Sequence, residues 1–234
     1  QQRVLDLVLH SLFVGGNSLI IGVPGLAKTL LVQTLAQVLD LKFSRIQFTP
    51  DLMPSDILGS EILDEDAERK RHFRFVKGPV FTQLLMADEI NRASPRTQSA
   101  LLEAMSDRQV SVDGQTRKLE SPFFVIATQN PREFEGTYPL PESQLDRFII
   151  RLPMGYPDRA NEKKILLGHR EGEPVDKLQS VITSAEIIAA QAVVTAIPIE
   201  ESITDYLLDL IEGTRNHPDL LLGASTRSAL GLYR

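Results

Sequence analysis

The sequence predicts an α/β protein, with a parallel sheet covered by helices on both faces, followed by a smaller domain made only of helices. In the first part of the chain, strand-like apolar runs alternate with helical patterns, which is typical of a parallel, doubly covered sheet. The strand-like runs lie near 18–22, 41–48, 84–88, 123–128 and 147–152, and the helical patterns between them at 29–39 and 95–106. After Tyr156-Pro157 only helical patterns follow, at 159–170, 184–196, 200–213 and 225–234. We therefore expect an α/β domain over 1–155 and a helical domain over 156–234.

Composition and charge restrict the class of protein. With 234 residues, 42% of them hydrophobic, the chain can bury a full core. It contains no cysteine, which excludes disulfides, thiolate metal sites and a cysteine nucleophile, and is compatible with a reducing cytosol. No apolar stretch approaches the roughly 18 residues that span a bilayer, and no signal peptide is visible, so we expect a soluble, cytoplasmic protein. The formal net charge of −6 argues against general coating of nucleic acid.

The two chain ends carry a separate expectation. The chain begins without Met inside a helical pattern and stops at Tyr233-Arg234 inside another. We therefore expect that both ends have been trimmed and that the helical domain is incomplete at its C terminus.

Residues 22–29 form the first motif with a chemical meaning. They read Gly-Val-Pro-Gly-Leu-Ala-Lys-Thr, directly after the apolar run 18–21 and directly before a helical pattern. A loop in this setting turns backbone N–H groups toward one point at a helix N terminus, where an anion is favoured. Lys28 would then reach the β- and γ-phosphates, and Thr29 would hold Mg²⁺. The predicted nucleotide-binding residues are Gly22, Val23, Pro24, Gly25, Leu26, Ala27, Lys28, Thr29 and Leu30.

The loop departs from the general pattern G-x-x-x-x-G-K-[ST] at one position, where Ala27 replaces the second glycine. A Cβ atom narrows the allowed backbone conformations, so Ala27 must lie in a region open to L-residues. On these residues alone, a glycine-containing turn between any strand and helix remains the alternative.

A second motif strengthens the nucleotide interpretation. The apolar run 83–87 ends in Asp88 and Glu89. In an open parallel sheet, ligands bind beyond the carboxyl ends of the strands, so both carboxylates would lie on the same rim as the loop. Asp88 would hold Mg²⁺ through its water shell, and Glu89 would orient and deprotonate the attacking water. An Asp-Glu pair after a strand is commonplace, but in this order and spacing it predicts ATP or GTP binding.

Two insertions interrupt the predicted α/β core. In 109–119, Asp113-Gly114 lies between short β-prone runs, which is the strongest short-range signal for a hairpin. In 58–79, the second half alternates, with Phe73 and Phe75 on one face, and we predict a second hairpin with a charged tip. A solvated loop of mixed charge is the alternative for this segment.

Three further polar residues are site candidates. Asn130 follows the strand at 123–128, where an amide could hold the attacking water or a γ-phosphate oxygen; an ordinary Asn-Pro turn is the alternative. Arg147 opens the strand predicted at 147–152, and Arg227 lies in the first turn of the last helix. Separately these two arginines mean little, because most arginines face solvent or pair on the surface.

Together, these motifs resemble an AAA+ ATPase of the MoxR family, and the resemblance covers nearly the whole chain. The matching segments are the phosphate-binding loop with its alanine, Asp88-Glu89-Ile90-Asn91-Arg92, Ala127-Thr128-Gln129-Asn130-Pro131, Gln144-Leu145-Asp146-Arg147-Phe148 and Gly223-Ala224-Ser225-x-Arg227. The resemblance implies ATP and Mg²⁺ as ligands, a sheet of order 5-1-4-3-2 and a helical lid. It also identifies the two insertions as a helix-2 insert and a hairpin before sensor 1.

The resemblance further implies roles for the three polar candidates. Asn130 would be sensor 1, Arg227 sensor 2, and Arg147 the arginine finger given to a neighbouring subunit. Arg151 and Arg132 are alternatives for the finger: Arg151 shares a face with Arg147 if 147–152 is a strand, and Arg132 occupies a position where the family pattern leads us to expect a different residue. A finger given in trans requires an oligomer, and the family suggests a hexameric ring.

Three functions follow as hypotheses. The first is an ATP-driven remodelling chaperone that matures partner protein complexes, including cofactor or metal insertion, often with a von Willebrand factor A domain partner; the partner class comes from the family alone. The second is a nucleic-acid motor like MCM-type helicases or McrB-like GTPases, with phosphate contacts from Arg69, Lys70, Arg71 and Arg74. The acidic balance and the lack of a fused DNA-binding module within this chain stand against it. The third is a nucleotide-gated scaffold with little turnover, against which stand Glu89, Asn130 and Arg147.

Overall fold

The computed structural model describes residues 2–65, 71–131, 136–168 and 178–234. Some sequence predictions lie outside these ranges: the charged tip of the first insertion at 66–70, with Arg69 and Lys70; Arg132 as an alternative finger; and the end of the helix predicted at 159–170.

Within the described residues, helices and strands alternate in the first part of the chain and helices follow. The strands are β1 (Ser18–Ile21), β2 (Phe43–Gln47), β3 (Gly59–Glu65), β4 (Arg71–Lys77), β5 (Leu84–Asp88), β6 (Gln109–Val112), β7 (Gln115–Lys118), β8 (Phe124–Gln129) and β9 (Ile150–Pro153). The helices are α1 (Gln2–Phe13), α2 (Lys28–Val38), α3 (Pro54–Leu58), α4 (Pro95–Asp107), α5 (Glu142–Leu145), α6 (Arg159–Gly168), α7 (Ser184–Thr195), α8 (Glu201–Arg215) and α9 (Thr226–Tyr233).

Five parallel strands form the central sheet, in the order β2-β5-β8-β1-β9. Numbered along the chain as core strands, this is the order 5-1-4-3-2, and that prediction is confirmed. The inner strand β5 is buried along its whole length, as expected where helices cover both faces. Its residues alternate between two core clusters: Leu85 lies in one with Leu101 of α4, and Met86 lies in the other with Val32 of α2.

Both insertions form antiparallel hairpins, β3–β4 and β6–β7, which confirms both hairpin predictions. In the second hairpin, Asp113 and Gly114 have φ values of 51° and 76°. Positive φ at both central residues is what a two-residue turn of this hand requires.

The last core strand is where the prediction from sequence was wrong. Arg147 does not open a strand, because β9 begins at Ile150, and residues 146–149 form a turn after the short helix α5. Phe148 donates its N–H to the carbonyl of Leu145 at 3.0 Å, so a local hydrogen bond holds this segment in a turn. The strand face that Arg147 and Arg151 were expected to share therefore does not exist.

Two helices of the C-terminal part, α7 and α9, begin at residues whose side chains cap them. Thr183 and Glu186 form a reciprocal capping box at the start of α7, and Ser225 accepts from the N–H of Ser228 at the start of α9. Gln191 of α7 donates to the carbonyl of Leu12 in α1 at 2.6 Å, which joins this helix to the first part of the chain. The domain boundary near 155 stays a prediction.

Among the described helices, none is long and apolar enough to cross a membrane. The cytoplasmic location expected from the sequence stays a prediction.

Candidate active site

The loop 22–27 connects the carboxyl end of β1 to the first turn of α2. Gly25 has φ 82°, and nothing lies within 4 Å of the position its Cβ would take, so backbone conformation rather than space favours glycine here. Ala27 has φ 58° and ψ 30°, in the small left-handed region that remains open to L-residues at some cost. The loop therefore accommodates alanine at this position in a left-handed conformation.

The ammonium group of Lys28 is folded back onto the loop that precedes it. Its Nζ donates to the carbonyls of Gly22 at 2.5 Å and Val23 at 3.0 Å. Burial lowers the pKa of Lys28 below its ordinary value, and the negative charges of Asp88 and Glu89 offset part of that shift. The cation thus lies where phosphate oxygens could replace the two carbonyls as its partners.

A cavity of about 500 Å³ opens beside this loop, within the size range of small-molecule sites. Its lining residues are Pro24, Gly25, Leu26, Ala27, Lys28, Thr29, Arg45, Gln47, Asp88, Glu89 and Arg92. The cavity lies at the carboxyl ends of β1, β2 and β5, where parallel sheets hold ligands. It brings together the four residues that sequence reasoning assigned to phosphate, metal and water: Lys28, Thr29, Asp88 and Glu89.

Asp88 is the last residue of β5, and both of its carboxylate oxygens accept hydrogen bonds. Oδ1 accepts from the hydroxyl of Thr128 at 2.5 Å, and Oδ2 accepts from the guanidinium of Arg45 at 2.6 Å. Thr29 supplies a hydroxyl in the same cavity. A carboxylate and a hydroxyl are the hard oxygen donors that Mg²⁺ prefers, so the donor set fits this ion.

Glu89 lies directly after β5 in a left-handed conformation, with φ 56° and ψ 49°. This conformation is uncommon for a residue with a side chain, and it turns the chain sharply away from the strand. The Oε2 atom of Glu89 accepts from Gln47 at 2.9 Å and from Arg92 at 3.1 Å. The carboxylate proposed as a base is therefore held by two donors.

Asn130 is buried and directly follows β8, which lies between β5 and β1 in the sheet. The carbonyl of the residue before it, Gln129, accepts the N–H of Gly22 at 3.1 Å. Asn130 therefore lies on the same rim of the sheet, between the strand that ends in the two carboxylates and the strand that leads into the loop.

Arg147 and Arg227 lie elsewhere, in a second cavity of about 510 Å³. This cavity contains Asn17, just before β1, and Ile149, just before β9, so it lies at the amino ends of the parallel strands. No described residue lines both cavities. The predicted site residues thus form two groups at opposite ends of the sheet.

Hydrogen bonds anchor this second group. Arg147 donates to the carbonyl of Leu102 at 2.9 Å and also to the hydroxyl of Ser106. The carboxylate of Asp146 accepts from the hydroxyls of Ser225 and Ser228, with the shortest contact at 2.5 Å. The start of α9, which carries Arg227, is therefore tied to the turn that carries Arg147.

Sequence reasoning missed Arg45, Gln47 and Thr128 as site residues. The available signal was positional: Arg45 and Gln47 alternate toward the end of a predicted strand, and residues at such ends meet at one rim. Thr128 belongs to the motif Ala127-Thr128-Gln129-Asn130-Pro131, in which only Asn130 was predicted to be a site residue.

Comparison with known proteins agrees with the fold. The family described as "ATPase family associated with various cellular activities (AAA)" matches residues 17–150. The chain is 45% identical over 234 residues to the uncharacterised protein YeaC of Bacillus subtilis, with 100% of this chain and 72% of that protein covered. It is 40% identical over 241 residues to chaperone MoxR1 of Mycobacterium tuberculosis, with 99% of this chain and 63% of that protein covered.

A solved structure supports the same assignment. The crystal structure of a protein from Cytophaga hutchinsonii, assigned as an ATPase, superposes on this chain with a TM-score of 0.88 and 40% sequence identity. The match covers 100% of this chain and 72% of that chain. The chain belongs to the MoxR family of AAA+ ATPases.

Proposed function

We propose that this chain binds and hydrolyses ATP with Mg²⁺, and that it couples the hydrolysis to remodelling or maturation of partner protein complexes, including cofactor or metal insertion. The observation that carries the proposal is the convergence of Lys28, Thr29, Asp88 and Glu89 in one cavity at the carboxyl ends of the strands. A cation, a hydroxyl, a metal-binding carboxylate and a second carboxylate are the groups that phosphoryl transfer to water requires.

The loop and Lys28 would bind the polyphosphate. Lys28 exchanges the carbonyls of Gly22 and Val23 for phosphate oxygens, and the new negative charges restore the stability of the ammonium form. Thr29 and Asp88 would hold Mg²⁺, which would neutralise charge on the phosphate oxygens. The backbone N–H groups at the start of α2 complete the anion site.

Glu89 would act as the base that accepts a proton from the attacking water. To reach a water molecule, its carboxylate must exchange at least one of its two present donors, Gln47 and Arg92. Asn130, beside the loop on the same rim, would orient the water or a γ-phosphate oxygen without adding charge. All of these steps use groups at one end of the sheet.

Arg147 and Arg227 would act on a nucleotide held by another copy of the chain. The strand β1 has four residues, so the two ends of the sheet are separated by about 13 Å of strand alone. The phosphate-binding loop and Arg147 therefore lie too far apart to share one nucleotide within a chain. An oligomer would bring a nucleotide phosphate to Arg147, and we propose a hexameric ring on the strength of the family.

The hairpins β3–β4 and β6–β7 would transmit the movement to a client. They lie outside the central sheet, and the first exposes Leu63 and Phe73, which are directly paired across the hairpin. The Mycobacterium tuberculosis relative is named a chaperone. We extend that role to this chain as a proposal, together with a partner that carries a von Willebrand factor A domain.

The competing nucleic-acid motor has weaker support from the described residues. Arg74 of β4 is paired with Asp64 at 2.7 Å, and Arg71 lies 3.8 Å from Glu65. Two of the four proposed phosphate contacts therefore already face a carboxylate within their own hairpin. A salt-dependent gel shift with DNA and RNA distinguishes the two functions, because phosphate contacts lose affinity steeply with salt.

Steady-state phosphate release, with and without Mg²⁺, tests the proposed chemistry. The Glu89→Gln variant keeps the size and the metal geometry but removes the base, so turnover should fall by about 10² to 10⁴. Its affinity for a fluorescent ATP analogue should stay within a few-fold of the wild-type value. An equal loss of affinity would show that Glu89 has another role. Normal binding with no turnover in the wild-type oligomer would favour the scaffold hypothesis.

A further inference from the structure

Helix α4 contacts two segments of the chain that would serve different nucleotides in the proposed oligomer. Near its start it contacts the helical turn at 90–93, directly after Glu89, and in its second half it holds Arg147. Between these points, one side of α4 follows the chain toward Arg147 in order: Gln98 donates to Tyr138, Ser99 accepts from Gln144 at 3.2 Å, and Leu102 accepts from Arg147 at 2.9 Å.

Gln98 is the residue of α4 that touches both segments. Its side chain is fully buried, and its Nε2 lies 3.1 Å from the carbonyl of Ile90, 3.1 Å from that of Ala93 and 2.9 Å from that of Tyr138. The first two carbonyls belong to the turn after β5, and the third belongs to the segment that leads to Arg147. A single amide therefore joins the two segments.

The amide of Gln98 has more acceptors than it can satisfy. It carries two hydrogens, so it cannot bond fully to three carbonyls at once. A shift of the turn that draws Nε2 toward Ile90 and Ala93 weakens its bond to Tyr138, and the reverse also holds. The Oε1 atom of Gln98 is buried and has no hydrogen-bond partner among the described residues. Because an unpaired buried oxygen destabilises the folded protein, the stability of the core does not explain an amide at this position.

Arg147 is attached to the same helix at a distance from Gln98. Its guanidinium donates to the carbonyl of Leu102 and to the hydroxyl of Ser106, in the second half of α4. The helix has 13 residues and is therefore about 20 Å long. A rigid helix of this length can carry a displacement at its first turns to a group bound near its end.

We propose that Gln98 is a positioning residue that couples the turn after Glu89 in one subunit to the Arg147 that the same subunit gives to its neighbour. A shift of the turn changes which carbonyls the amide serves, and so changes how firmly residues 138–147 lie against α4. The inference rests on the proposed function, because it assigns Glu89 to the water of one site and Arg147 to the nucleotide of the next.

Amide hydrogen exchange, measured without added nucleotide, tests the contact itself. Gln98→Met keeps the length of the side chain and removes all three hydrogen bonds, so exchange in 138–148 should become about fivefold faster. Gln98→Leu should act in the same direction, and it provides the test if the Met variant does not fold. Thr97→Val is the matched control, because Thr97 is buried in the same turn of α4 but donates to the carbonyl of Leu52 at 2.7 Å, which belongs to neither segment.

Mixed oligomers test whether the coupling reaches the neighbour. Lys28→Ala subunits bind no ATP and supply only Arg147, whereas Arg147→Ala subunits carry the working site. When Gln98→Met is added to the Lys28→Ala subunits, phosphate release by the mixture should fall about tenfold, because a misplaced group slows the reaction at the site that it serves. A role of Gln98 confined to its own site predicts no change, since that site is already inactive. Thr97→Val added to the same subunits should leave phosphate release unchanged.

Unchanged exchange in 138–148 for both Gln98 variants overturns the proposal, whatever happens to turnover. Unchanged phosphate release, in mixtures that native mass spectrometry shows to share one oligomer, overturns the coupling to the neighbour. If the parent mixture with intact Gln98 shares one oligomer and releases no phosphate, the trans role of Arg147 in the proposed function is wrong. The coupling to the neighbour is then wrong as well, and the exchange measurement alone decides whether Gln98 joins the two segments.

Discussion

The hydroxyl of Thr128 donates a 2.5 Å hydrogen bond to the carboxylate of Asp88. The hydroxyl oxygen of Thr128 also accepts a hydrogen bond from the main-chain N–H of Glu89 at 2.9 Å. One fully buried side chain of β8 therefore positions both acidic residues at the end of β5. Because hydrogen bonds to a charged group are stronger than neutral ones, this contact contributes to stability as well as to the geometry of the site.

Thr128→Val tests that contribution. Valine has nearly the same shape but no hydroxyl, so Asp88 loses a donor and the N–H of Glu89 loses its acceptor. We expect the free energy of unfolding, measured with urea, to fall by about 1.5–3 kcal/mol. Thr116→Val is the control, because Thr116 is exposed and its hydroxyl pairs only with Ser111 on the hairpin. Equal losses in the two variants would contradict the structural role assigned to Thr128.

Lys28 should stabilise the nucleotide complex at the expense of the free protein. Its pKa in the folded state lies below the 10.5 of the unfolded chain, chiefly because burial disfavours the charged form. The unfolded chain therefore binds more protons between the two pKa values, and the free energy of unfolding rises with pH across that window. The cost of Lys28 is fully present below the folded pKa, and it is lost as the pH rises above 10.5.

Lys28→Met removes that cost together with nucleotide binding. At pH 8 we expect the free variant to be at least as stable as wild type, with the difference shrinking toward pH 10.5. ATP with Mg²⁺ should raise the melting temperature of wild type and leave that of the variant unchanged. A variant that is markedly less stable at both pH values, or one that ATP still stabilises, would contradict this account of Lys28.

Local signals allowed much of the fold to be predicted from the sequence. The apolar run that ends at Asp88 and the Asp113-Gly114 turn are such signals, and both elements are present. The order of the strands is a non-local property, and it came from the resemblance to a family. The error at Arg147 has a local cause: a short helix and turn at 142–149 take residues that could extend the strand. At the start of a strand, sequence patterns do not distinguish a longer strand from a short helix and turn that precede it.

The candidate site shows the same division. Lys28, Thr29, Asp88 and Glu89 could be predicted because each belongs to a contiguous motif. Arg45 and Thr128 reach Asp88 across separations of 43 and 40 residues, through the pairing of β2 and β8 with β5. Only the register of the strands brings them to the carboxylate, and the sequence alone does not specify that register.

Arg117 links the two hairpins, and its removal should loosen them without affecting nucleotide binding. Its guanidinium carbon lies 3.8 Å from the ring centroid of Phe75, and its NH2 atom is 3.6 Å from Glu61 Oε1, both residues of the other hairpin. Arg117→Ala should increase the rate of amide hydrogen exchange in β3–β4 about fivefold, because the free energy of local opening should fall by about 1 kcal/mol. ATP affinity should remain at the wild-type value.

Lys118→Ala is the matched control for the hairpin contact, because Lys118 is the next residue of β7 and is exposed. Arg117→Lys should behave like Arg117→Ala, since lysine keeps the charge but lacks the planar group that stacks on the ring. Unchanged exchange in β3–β4 for both Arg117 variants would show that the two hairpins are not coupled through this residue.

Arg147 is expected to act across a subunit boundary. Its cavity lies at the amino ends of β1 and β9, whereas the phosphate-binding loop lies at the carboxyl end of β1. An arginine finger stabilises the charge that develops as the γ-phosphoryl group leaves, an effect of roughly 10³ to 10⁵ in rate. Arg147→Ala should therefore reduce turnover by that order, with only a modest loss of ATP affinity. Arg151→Ala should retain turnover close to the wild-type rate.

Mixed oligomers distinguish a finger that acts in trans from one that acts within its own chain. Lys28→Ala subunits keep Arg147 but cannot bind ATP, and Arg147→Ala subunits keep a working loop but supply no finger. Neither variant alone should hydrolyse ATP. An excess of Lys28→Ala subunits should restore phosphate release, because each working loop then meets an intact Arg147 from its neighbour. The mass of the mixed species, measured by native mass spectrometry, must show that both kinds of subunit share one oligomer.

If both kinds of subunit share one oligomer and phosphate release does not return at any ratio, Arg147 is not the trans finger. Arg151 and Arg132 then become the residues to substitute.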